Sequence, residues 1–156
     1  MKQYLIDFFK YNDWANRQLI DSIKKLPDQD ESARLVSHII ASHKKWLNRI
    51  TREFDDKTLA WFDTPLPVDQ LDEQWRECIV KWIGFLEKAQ DSQLANDLIF
   101  QRPSDGKRIS VKIRDVILQI NYHSIHHRAQ IYRIIRQQGQ TPPATDYIFT
   151  VLREVQ

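Results

Sequence analysis

The sequence predicts an all-α fold, a four-helix bundle, and three observations carry that expectation. Four long segments place apolar residues at helical spacing, the connections between them are short, and only 3 of the 156 residues are glycine.

The first helix is expected from about Lys2 to Leu26, where Leu5, Phe8, Phe9, Trp14, Leu19 and Ile23 are available for packing and Pro27-Asp28 stops it. The second is expected from about Glu31 to Phe54, with Asp63-Thr64-Pro65-Leu66-Pro67 irregular after it. A third carries Leu71, Trp75, Ile79, Trp82, Ile83, Leu86 and Ala89 at helical spacing, the pattern of a core-facing stripe. Between Leu94 and Val111 the period changes. Leu98 to Arg102 and Arg108 to Val111 flank a Ser104-Asp105-Gly106 turn, as in a short hairpin or extended excursion that serves as a lid or a connector. The fourth helix spans about Lys112 to Gln138 and stops at Gly139, and Thr141-Pro142-Pro143 and a short amphipathic tail follow.

A chain of this length with 42% hydrophobic residues is expected to be one domain with a sizeable core. The 23 basic and 21 acidic residues leave a formal charge of +2, too small for a nucleic-acid footprint. Cys78 is the only cysteine, so an intramolecular disulfide and a thiolate cluster within one chain are excluded; its neighbours read as inert packing. The first residues, Met1-Lys2-Gln3-Tyr4-Leu5-Ile6-Asp7-Phe8-Phe9, contain no long apolar run, and nowhere do about 18 apolar residues follow one another. The expectation is a cytoplasmic protein with neither nucleic acid nor membrane as partner.

The chemistry is expected in Asn121-Tyr122-His123-Ser124-Ile125-His126-His127-Arg128-Ala129-Gln130. His123 and His127 stand four apart in a helix, about 5–6 Å between Cβ atoms, a spacing at which two imidazoles can grip one ion. At about 100° per residue they fall within the stripe of Val116, Ile120, Ile131 and Ile134, whereas His126 falls at its rim. Hydrogen-bonded core histidines would satisfy the same pattern. A third ligand should come from a facing helix, and the second helix offers His38 and His43. By angle, His43 lies on that helix's main stripe with Val36, Ile40, Leu47, Ile50 and Phe54, and His38 lies off it near Ala41, Ser42 and Lys45. Asp115, two turns before His123, reads as a helix-start residue, and no carboxylate stands out as a general base. Arg49 and Arg128 could bind an acidic substrate, but read first as residues whose stems pack at a bundle surface and whose heads reach water. Tyr11, Asn12 and Trp14 could line a pocket mouth, but read first as core or dimer-contact residues.

Three stretches resemble the DinB-like (YfiT-like) family. Ser37 to Ile50, with His38, small and apolar residues and then Trp46-Leu47-Asn48-Arg49-Ile50, looks like its second-helix signature. His123 to Gln130 looks like the second half, commonly ending His-Arg-Gly-Gln, with Ala129 here in place of Gly. Tyr11 to Asn16 is similar to its first-helix start. The resemblance implies an up-down-down-up bundle, a homodimer, and a three-histidine metal site on His38, His123 and His127, with His43 standing where acidic residues are frequent. Three neutral imidazoles suit zinc, nickel or a similar divalent ion and leave a position for water or a small-molecule substrate. Characterised relatives in the wider superfamily include low-molecular-weight thiol transferases and a mycothiol-dependent isomerase. The resemblance therefore implies a metal-dependent enzyme activating a thiol or water, with a low-molecular-weight thiol as a candidate cosubstrate. A non-catalytic metal-binding or interaction protein of a stress response is the alternative.

Overall fold

A computed structural model describes residues 1–53, 64–102 and 104–155 of the chain, which is mostly helical. Helix α1 runs Lys2–Ile23, three residues short of the expected end. Lys25 and Leu26 instead make tight i→i+3 bonds to Ser22 and Ile23, because a residue before proline is disfavoured in helical backbone. Helix α2 spans Asp30–Thr51 and opens with Asp30 and Glu31, whose charges complement the helix N-terminus. Its expected end at Phe54, and Asp63 of the connector, lie outside the described residues. A 3₁₀ turn at Val68–Gln70 leads into α3, Leu71–Lys88, and one helical turn, α4, covers Asp91–Leu94.

The expected excursion is an antiparallel hairpin of β1, Asp97–Gln101, and β2, Arg108–Lys112, with Phe100 opposite Ile109. Gly106, at φ +68°, takes the left-handed conformation its turn needs, and its N–H donates to the Arg102 carbonyl at 2.8 Å. Leu98 is buried, and Phe100 meets Trp46 of α2 edge to face. The hairpin is thus packed on α2, as a connector is. Helix α5, Ile113–Gln137, follows β2 without a break. It ends in a Schellman motif: Gly139, at φ +75°, donates to Arg136, and Gln140 donates back to Ile135. A last 3₁₀ turn, Tyr147–Thr150, lies in the tail.

The four long helices share one core. Helix α1 packs on α3 and α5, α2 packs on the same two, and α1 and α2 barely touch. Phe9, Ile39, Trp75, Trp82 and Ile117 are fully enclosed there. Both tryptophans satisfy their indole N–H, Trp75 on the Asp13 carboxylate and Trp82 on the His43 carbonyl. Among the described residues no helix is long and apolar enough to cross a membrane. The α2–α5 contact sets the position of the candidate site.

Candidate metal centre

Helices α2 and α5 meet at short side chains, Ser42 on one and Ser124 on the other, both buried. Above this contact His38 projects from α2 toward His123 and His127 of α5. Their ring centroids lie 4.4 to 5.1 Å apart. Among the described residues these three form a group whose ligand-capable nitrogens all lie within 4.8 Å of one another. The Nε2 atoms of His38 and His123 are 3.1 Å apart.

Burial works against the charged forms of His123 and His127. Burial, reinforced by the other imidazoles, pushes His123 down to about 4. His127 is also lowered, by burial first, against the opposing effect of its bond to Gln130. That bond runs from Nδ1–H to the Gln130 side-chain oxygen at 2.8 Å, and the Gln130 amide nitrogen reaches His126 Nε2 at 3.1 Å. An amide oxygen can only accept, so Nδ1 keeps the proton and Nε2 is free to ligate. The group contains no carboxylate or thiolate. An all-imidazole set fits a borderline divalent ion such as zinc or nickel better than the hard oxygen-seeking ions.

His43 does not join this group. It is fully buried, its Nε2 bonded to Ser124 Oγ at 2.9 Å and its ring edge-on to Trp75 and Phe9. Burial pushes it down to about 3, so it is a neutral core histidine, and its Nδ1 has no hydrogen-bond partner among the described residues. His126 is exposed at the rim, as expected. Asp115 is an exposed residue in the first turn of α5, paired with Arg114. Cys78 is buried, and loss of hydration pushes its thiol up to about 12, consistent with inert packing.

Two expectations need correction. His123 and His127 are not in the middle of the buried face of α5. That face runs through Ile117, Ile120, Asn121, Ser124, Arg128, Ile131 and Ile135, with the two histidines half-buried on its flank. Counting only apolar residues displaced the stripe, because three polar residues occupy its centre. Asn121 and Ser124 donate to carbonyls of their own helix. The heads of Arg128 and Arg49 do not reach water either. Arg128 is 2% exposed and donates to Asn12 Oδ1 and the Tyr11 hydroxyl of α1. Arg49 is buried, with its guanidinium over the rings of Trp46 and Phe100. Tyr11 and Asn12 are core residues, and Tyr11 also donates to the Thr145 carbonyl of the tail. Sequence reasoning missed the roles of Gln130 and Ser124. The i,i+3 spacing from His127 was the one signal for Gln130.

Comparison with known proteins agrees with this architecture. A model of the DinB family matches residues 1–154. Protein DinB of Bacillus subtilis is 26% identical, the match covering 94% of this chain and 93% of the relative. Two solved structures share the fold. One is a DinB-like protein of Bacillus cereus, with TM-score 0.64 and 16% identity, covering 90% of this chain and 94% of the other. The second is the DinB-like protein YjoA of B. subtilis, with TM-score 0.66 and 19% identity, covering 92% and 98%.

Proposed function

The chain belongs to the DinB family, and on that premise we propose that it is a metal-dependent enzyme in which His38, His123 and His127 hold one divalent ion of the zinc or nickel class. The observation that carries the proposal is the convergence of three imidazoles from two helices, half-buried, with their nitrogens within 4.8 Å. When bound, the ion supplies Lewis acidity: it draws the pKa of a water or thiol toward neutrality, or polarises a carbonyl.

The chain's own residues hold and orient. Burial keeps His123 and His127 neutral, so they offer lone pairs in place of protons. Gln130 fixes the orientation of His127. The partial exposure of all three histidines leaves one side on which a small molecule can approach. Transfer of a low-molecular-weight thiol to an electrophile is the reaction class this reading favours, with hydrolysis as its neighbour, since both begin by deprotonating a nucleophile.

The same reading takes α1, α2, α3 and α5 as an up-down-down-up four-helix bundle, supported by the packing of α1 and α2 each on α3 and α5. It also takes the protein as a homodimer, supported by the exposed Tyr4, Tyr122, Ile148 and Leu152. A second reading rests on the 85 positions from His38 to His123: an ion there staples two helices distant in sequence and needs no substrate.

Turnover by the zinc- or nickel-loaded protein on a panel of low-molecular-weight thiols with electrophiles, and of esters, separates the two. Activity that disappears in His38→Ala, with helicity intact, supports the enzyme. No turnover, together with a large fall in Tm on chelation, supports the staple.

A further inference from the structure

We propose that the hydroxyl of Ser42 is a fourth protein donor of this centre, completing a set of four groups supplied as two i,i+4 pairs, His38 with Ser42 on α2 and His123 with His127 on α5. The inference rests on the three-histidine reading and deepens it.

The first observation is where the hydroxyl turns. Serine and threonine inside a helix ordinarily return their hydrogen to the carbonyl four residues back. Ser37, Thr51 and Ser124 all do so, to Ala33, Leu47 and Ile120. Ser42 does not. It is 1% exposed, and its hydrogen-bond contact among the described residues is His123 Nε2, 3.4 Å away.

The second observation is what that nitrogen also faces. His123 Nε2 lies 3.1 Å from His38 Nε2, so an imidazole from α2 and a hydroxyl one turn further along the same helix converge on one atom. Two donors held about 2.0–2.1 Å from a zinc-like ion stand about 3.3 Å apart in a tetrahedral shell. Both separations match an edge of such a shell.

The third is a matter of satisfaction. With the lone pair of His123 Nε2 committed to an ion, the Ser42 hydroxyl loses its acceptor in a site where a buried polar group needs a partner. Directing its own oxygen lone pair at the same ion restores one. Four protein donors fill a tetrahedral shell, so solvent or substrate would join as a fifth ligand, from the side away from the α2–α5 contact.

Cobalt(II) titration of the full chain tests this, using the parent, His127→Ala, Ser42→Ala and Ser42→Cys, with circular dichroism to establish that each is folded. Cys78, the only native cysteine, is buried and outside the cluster, so the parent provides a background without a thiolate–cobalt band. The expected result is a thiolate-to-cobalt charge-transfer band in Ser42→Cys and a loss of cobalt affinity on the order of 10-fold in Ser42→Ala. Cobalt bound by Ser42→Cys without that band, or by Ser42→Ala with parental affinity, overturns the inference while the histidine site stands. A parent that takes up no cobalt overturns both.

Discussion

His127 directs its Nδ1 at the side-chain oxygen of Gln130, 2.8 Å away and one turn further along α5, while its ring stands 4.8 Å from that of His38 and 4.4 Å from that of His123. Gln130 is itself held from the other side by His126, so two side chains on an exposed edge of α5 set the orientation of one candidate ligand.

Removing that support is expected to weaken metal binding without unfolding the protein. Gln130→Ala should lower zinc affinity by about 10-fold, in the range seen when the partner of a ligating histidine is lost. Gln130→Glu, which keeps an acceptor at the same place, should retain it. Competition against a chromophoric chelator measures both.

Stability of the metal-free protein should fall on the acid side. His43 sits at about 3 when folded, below the ordinary imidazole value of 6.5, because burial disfavours its charged form. Between those two values the unfolded chain binds the extra proton. The contribution is therefore complete above about pH 6.5 and is lost at about 1.4 kcal/mol per pH unit as pH falls through that window. Urea denaturation from pH 7 to pH 4.5 should show this slope in the parent, and a shallower one in His43→Gln.

Arg128 ties α5 to α1 through Asn12 and Tyr11. Arg128→Ala should cost about 2–4 kcal/mol by stranding buried acceptors. Arg128→Lys should recover little, since one ammonium cannot reproduce the two-pronged contact. Tyr11→Phe, which removes one hydroxyl, should cost about 1 kcal/mol. Equilibrium urea unfolding gives all three.

Much of the helical framework was legible because its signals are local. Pro27, the Ser104-Asp105-Gly106 turn and Gly139 each act through their own backbone, and each marks a boundary close to where the structure has one. The cluster was only half legible. Spacing brought His123 and His127 together, but angular position favoured His43 over His38. Periodicity finds the most buried line of a helix, and on α2 that line does hold His43. The histidines that converge lie on the flank, where His38, His123 and His127 are half-buried, and it was the family resemblance that singled out His38. The buried heads of Arg49 and Arg128 were not legible at all. Arg128 meets partners 116 and 117 positions away, and only the packed fold brings them together.

The most direct measurement is the metal content of the protein purified without an affinity tag or added metal, beside His38→Ala and His127→Ala prepared identically. Near-stoichiometric zinc or nickel in the parent and its loss in both variants is the expected result. A folded parent that arrives without metal and refuses added zinc and nickel would contradict the three-histidine centre and every step built on it.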